Sequence, residues 1–177
     1  MKKLMGMLFA SAILLSACGA PGGGGATNEK EGKKSDSDTI KIGLNLELSG
    51  AVAAYGNQEK EGAELAVEEI NAKGGINGKK IELVIKDNKS DTAEAAAVAA
   101  NLTTKENVVA IIGPATSGAS KAQIPNVTRA KVPVITPSGT DDAITVVNDA
   151  VQEFIFRACF QDSFQGVILA NYAMNNL

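Results

Sequence analysis

Three stretches concentrate glycine and small hydroxylic residues in an otherwise aliphatic chain: residues 47–57 (ELSGAVAAYGN), 113–120 (GPATSGAS) and 137–142 (PSGTDD). Loops of this composition bring backbone N–H groups close to a ligand, and a following helix adds unsatisfied donors and a dipole that favour an anion. Ser117, next to Thr116 and at the head of a helical pattern, has two readings that the residues alone leave open. It is an N-cap of its helix, or its hydroxyl and the neighbouring N–H groups seat a ligand carboxylate. Thr140, after Ser138 and Gly139, either closes a turn with Asp141 and Asp142 or faces a ligand. Tyr55 is one of only two tyrosines, and reads as loop packing or as a pocket wall.

Bond-making chemistry fits these residues poorly. The chain has no histidine and only two cysteines, Cys18 and Cys159, which excludes Ser-His-Asp or Cys-His catalysis and zinc sites within it. Gly-x-Ser-x-Gly is not matched at Ser117, and Lys121 lies four residues on rather than three. An exported serine hydrolase using Ser117 would therefore lack a base. Neither Gly-x-Gly-x-x-Gly nor a Walker lysine follows the first strand, so a bound nucleotide is not expected. No cofactor or metal is expected, and no enzymatic activity.

The elements that must position these loops alternate. TIKIGLNL (residues 39–46) predicts a strand, and a loop through Tyr55 and Gly56 leads to a helix with Ala63, Ala66, Val67 and Ile70 on one face. KKIELVIKD (79–87) predicts the second strand. A second helix follows, with Ser90 or Asp91 as cap and Ala95, Val98, Ala99 and Leu102 on its stripe. VVAIIG (108–113) has the unbroken aliphatic run of a strand covered on both faces. A third helix over 117–130 contains Pro125, and VPVIT (132–136), EFIFRACF (153–160) and a helix from Asp162 complete the pattern. Strand and helix in alternation predict an α/β fold: an open parallel sheet with helices on both faces. In such sheets ligands sit beyond the carboxyl ends of the strands, which is where the three loops fall.

The first 17 residues carry Lys2 and Lys3 ahead of an uncharged stretch too short to span a bilayer, and read as an export signal. They end in Leu15-Ser16-Ala17-Cys18, which resembles a bacterial lipobox. The resemblance implies cleavage before Cys18 and a lipid on its sulfur. Residues 18–38 are then the lipidated cysteine and a glycine-rich tether. With the leader removed the net charge of −3 becomes about −5, and no basic block suited to nucleic acid remains. Lipidation of Cys18 leaves Cys159 without an internal disulfide partner.

IKIGLNLELSGAVAAYGNQEKEGAELAVEEINAKGGINGKKIELVIKDN, IIGPATSGAS, VPVITPSGT and FRACFQDSFQG, in that order, resemble the solute-binding proteins of ABC importers for branched-chain amino acids, the type I periplasmic-binding fold. The resemblance implies that Ser117 binds the ligand carboxylate through its hydroxyl and N–H. It places the carbonyl of Ser138 and the hydroxyl of Thr140 on the ammonium, with Thr116 and Gly139 in the same loops and Tyr55 beside the ligand side chain. It also implies a monomer, anchored by lipid to the extracytoplasmic face of the membrane, that delivers an amino acid to a membrane permease without bond chemistry. A ligand-sensing receptor of the same fold is the alternative. Residues 39–160 would form the first of two lobes and 161–177 the start of the crossing into the second. The second lobe is expected to be missing.

Overall fold

The structure is a computed structural model and describes residues 39–177. The export signal, Cys18 and the tether lie outside the described residues. Strand β1 (Thr39–Leu46) is followed by helix α1 (Ala53–Ala72), β2 (Lys80–Asp87), α2 (Thr92–Thr104), β3 (Ala110–Ile112), α3 (Ser117–Ala130) and β4 (Val134–Thr136). A 3₁₀ turn at Asp142–Ile144 leads into a small hairpin, β5 (Val146–Val147) and β6 (Ala150–Val151). Its two-residue turn, Asn148 and Asp149, has positive φ at both positions, which matches the twist of the paired strands. Strand β7 (Ile155–Arg157) and helix α4 (Asp162–Asn176) follow. All pairings in the main sheet are parallel, in the order β2-β1-β3-β4-β7. The chain therefore reverses its direction of travel across the sheet between β1 and β3, and the loops after those two strands diverge around a crevice.

The three later strands are shorter than their sequence patterns predict. Pro133 has no N–H to give the ladder, which delays β4 to Val134, and the Gly113-Pro114 pair ends β3. Only Ile155–Arg157 of residues 153–160 pairs with β4. Helix α1, by contrast, starts earlier than its pattern suggests, so Tyr55 and Gly56 lie in its first turn rather than in a loop.

One face of the sheet is closed by α2 and α3. Ile111, Val134 and Ile155 are buried there with Val98, Ala99 and Leu102 of α2 and Val127 of α3. Gly43 leaves room for Leu102 at this interface: a Cβ on it would stand 2.9 Å from a Leu102 methyl, which would have to shift. The α2 stripe is buried as its periodicity predicts, and Asp91 is its cap, accepting a hydrogen bond from the Glu94 N–H at 2.7 Å.

The opposite face is covered unevenly. Helix α1 packs on β1 and β2, leaving a groove over Ile42, Ile112, Ile135 and Phe156, of which Ile135 and Phe156 are exposed. Helices thus lie on both faces, but the second layer stops short of β4 and β7. The expected α1 stripe is correspondingly shallow: Ala63 and Val67 are half-buried, while Ala66 and Ile70 are exposed. Helix α4 buries none of its residues.

Candidate functional site

A cavity of about 530 Å³ opens at the carboxyl end of the sheet. Five of the residues singled out from the sequence line it: Tyr55 from the first turn of α1, Thr116 and Ser117 from the start of α3, and Ser138 and Thr140 from the loop after β4. Three loops distant in sequence therefore meet at one place. Gly139 is the exception, buried behind the wall rather than on it. Its N–H donates to Thr136 Oγ1 at 3.0 Å and its carbonyl accepts from Arg157 Nη1 at 3.1 Å. A Cβ there would stand 2.7 Å from Thr136 Oγ1, so Gly139 permits the close approach of the loop to β4. Ala115, Cys159 and Phe160 also line the cavity and were not legible as site residues. Ala115 and Cys159 are small residues in longer runs, and Phe160 reads as part of a strand.

The two readings of Ser117 separate in the structure. Thr116 occupies the N-cap position of α3, yet its side chain makes no cap bond; its hydroxyl donates instead to Glu47 Oε1 at 2.7 Å. Ser117 is the first helical residue, and its Oγ accepts the Asp141 N–H at 3.2 Å. A hydroxyl that has accepted one bond keeps its own proton to donate. The cavity is thus bordered by a hydroxyl donor and by the uncapped N-terminus of a 14-residue helix, an arrangement suited to a carboxylate. The turn after β4 is closed by Asp141, whose Oδ1 accepts the Ala143 N–H at 2.8 Å, and not by Thr140.

A buried polar frame fixes these loops. Asn45, fully buried in β1, donates to the Ala95 carbonyl at 2.9 Å and to Gln123 Oε1 at 3.0 Å. Gln123 in turn donates to the Gly113 carbonyl at 2.8 Å, and Asn88 donates to Asn45 Oδ1 at 3.3 Å. Five segments are joined through side chains that satisfy one another, which is the condition under which buried polar groups rigidify rather than destabilise. A second set ties β3 to β4: Thr136 Oγ1 donates to the Pro114 carbonyl at 2.7 Å. Glu47, also fully buried, accepts from the Ala115 and Thr116 N–H groups at 3.0 and 3.1 Å, just ahead of α3. Arg157 holds the β4 loop from behind, donating also to the Asp141 carbonyl at 3.0 Å.

Charges near the loops follow from these bonds. Burial raises the pKa of Asp87, but four hydrogen bonds outweigh it, from the Ser49 hydroxyl at 2.6 Å and from the N–H groups of Lys89, Leu48 and Ser49, and hold the carboxyl below its ordinary range. Asp141 is lowered too, by its hydrogen bonds from Lys121 and the Ala143 N–H. Glu59 moves the other way: desolvation and the negative charge of Glu47 raise it, against a hydrogen bond with Ser138.

Comparison with known proteins bears on what such a cavity is for. A family model described as periplasmic binding protein matches residues 39–177. The chain belongs to this family. Among curated members of the periplasmic binding protein family, the Leu/Ile/Val-binding protein BraC3 of Rhizobium johnstonii is 35% identical over 140 residues, covering 77% of this chain and 36% of the relative. The leucine-, isoleucine-, valine-, threonine- and alanine-binding protein of Pseudomonas aeruginosa is 36% identical over 135 residues, covering 76% of this chain and 35% of that one. Among solved structures, the branched-chain amino acid transporter substrate-binding protein LivJ of Streptococcus pneumoniae, in complex with isoleucine, is 56% identical. It superposes with a TM-score of 0.71, covering 78% of this chain and 38% of LivJ. The chain therefore spans a little over a third of the length of these relatives.

Proposed function

We propose that this periplasmic binding protein chain captures a branched-chain or other neutral aliphatic amino acid outside the cytoplasm and delivers it to an ABC permease. The observation that carries the reading is the pairing, on one cavity, of a free hydroxyl proton at Ser117 and an uncapped helix N-terminus with the loop that holds Ser138 and Thr140. The first pair suits a carboxylate and the second offers a carbonyl and a hydroxyl to an ammonium group. Tyr55, Cys159 and Phe160 add apolar wall for an aliphatic side chain. The names of the relatives, which bind leucine, isoleucine and valine, agree with this division. The mechanism is non-covalent: the zwitterion is held by hydrogen bonds and an apolar wall, with no bond made or broken. Calorimetric titration with L-leucine tests it: heat is expected from the amino acid and none from its decarboxylated amine, and equal heats from both contradict the reading.

The lipid anchor belongs to the same proposal and rests on the sequence around Cys18. Metabolic labelling with palmitate is expected to mark the wild-type chain and to vanish in Cys18→Ala. Labelling that persists in the variant removes the anchor from the account.

A further inference from the structure

The hydroxyl of Ser138 poses a counting problem. Its Oγ lies in hydrogen-bond contact with two groups, the Ala115 carbonyl at 2.9 Å and Oε1 of Glu59. A serine hydroxyl has one proton, and both a carbonyl and an ionised carboxylate only accept. With Glu59 charged, one of the two contacts would set lone pair against lone pair. The other carboxyl oxygen of Glu59 is buried without any hydrogen-bond partner, and a negative charge spread onto it would go unsolvated and uncompensated. A proton on Glu59 Oε1 resolves the first and eases the second, leaving a neutral carbonyl oxygen instead of a share of a negative charge in the unpartnered position.

We propose that Glu59, as the neutral acid, is a positioning residue of the cavity: it donates its carboxyl proton to Ser138 Oγ, and Ser138 donates to the Ala115 carbonyl. The relay runs from α1 through the β4 loop to the β3 loop, three of the segments that line the cavity. Glu59 lies one helical turn after Tyr55, on the same face of α1, so the helix presents an aromatic ring to the cavity and a carboxyl to the loop behind it. The bond that Ser138 makes to Ala115 holds its peptide, and hence its carbonyl, in a fixed place.

The charged surroundings agree. Glu47, at the end of β1, is the charge that acts on Glu59, and its sign favours the neutral acid. The β3 and β4 loops contribute the uncharged Ala115 and Ser138. Lys60, the neighbouring cation on α1, is paired with Glu64 at 2.7 Å. Desolvation is the largest influence on Glu59 and acts in the same direction as Glu47. The opposing influence is a bond donated by Ser138, and the proton of Ser138 is already committed to Ala115.

The protonation can be tested without a ligand, whereas its consequence for binding rests on the amino-acid reading. Carboxyl carbon shifts of the full chain, followed by NMR against pH and assigned with Glu59→Gln, are expected to give Glu59 a midpoint above the ordinary 4.5. A midpoint at or below that value overturns the proposal. Between those two pH values the native state holds a proton that the unfolded state has lost, so stability contributed by Glu59 falls as pH rises through the window. Glu59→Gln, whose amide still donates, is expected to remove that slope; an unchanged slope also overturns the proposal.

For binding, Glu59→Ala is expected to weaken L-leucine about three- to tenfold below the Glu59 midpoint, the effect of one lost hydrogen bond. Glu59→Gln is expected to retain wild-type affinity and to bind independently of pH through the range where the wild type weakens. Equal affinity of wild type and Glu59→Ala overturns the positioning role. If wild type itself binds no amino acid, the functional reading fails, while the carboxyl midpoint still decides where the proton is.

Discussion

Gly113→Ala is expected to destabilise the described domain by about 3 to 5 kcal/mol, combining the strain of a forbidden backbone with that of an overpacked contact. Gly113 has φ of 98°, which an alanine adopts only under strain. A Cβ there would stand 2.3 Å from the Asn45 carbonyl oxygen and 2.7 Å from a Leu46 methyl. Neither neighbour can move freely, because Asn45 is bound into the buried frame through Ala95 and Gln123. Relief would require β1 and β3 to separate at the point where the chain reverses across the sheet, and the Gln123 bond to the Gly113 carbonyl would stretch with them. Urea unfolding measures the effect. Gly62 provides the control: it lies inside α1 with nothing within 4 Å of its would-be Cβ, so alanine there is expected to stabilise by roughly 0.5 to 1 kcal/mol. A Gly113→Ala variant within about 1 kcal/mol of wild type would mean that the buried frame is looser than its hydrogen bonds indicate.

This frame also marks the limit of what the sequence made legible. Strand β1 and the buried stripe of α2 follow from local pattern, because alternation and 3.6-residue periodicity are local physics, while the cap of α2, open between Ser90 and Asp91 in the sequence, is Asp91. The three site loops were legible for a related reason, since parallel strand order puts loops after strands on one edge. Asn45 and Gln123 were not. A polar residue inside an apolar strand carries no sign of its partner when that partner is 78 residues away. Ser117 is ambiguous in the sequence because a cap and a ligand donor use the same hydroxyl; in the structure the cap position falls to Thr116, whose side chain is committed to Glu47. The shallow burial of α1 escaped as well, because periodicity reports which face turns inward and not how much of the sheet lies beneath it.

The proposed lipid anchor rests on the resemblance of Leu15–Cys18 to a lipobox, and the proposed ligand on the cavity geometry. Of the two, the ligand assignment makes the sharper claim about single atoms. Ser117→Ala is expected to weaken binding of L-leucine or L-isoleucine by about 1.5 to 3 kcal/mol, the range for a hydrogen bond to a charged group, which is roughly 10- to 150-fold in Kd. The fold should be unaffected. Ser117 is half-buried, and its side chain accepts one bond, from the Asp141 N–H at 3.2 Å, while Asp141 stays tied to Lys121 and to the 3₁₀ turn. An effect on affinity without an effect on stability is what distinguishes a ligand donor from a packing residue.

The most direct test of the central claim is an amide NMR titration of the purified chain with L-isoleucine, repeated with its decarboxylated amine. The account predicts that L-isoleucine shifts the amides of Ser117 and Gly118 together with those of residues 138–140. The amine, lacking the carboxylate, is predicted to leave Ser117 and Gly118 unmoved. Shifts confined to the open sheet face around Ile135 and Phe156, or shifts at Ser117 and Gly118 that the amine reproduces in full, would contradict it.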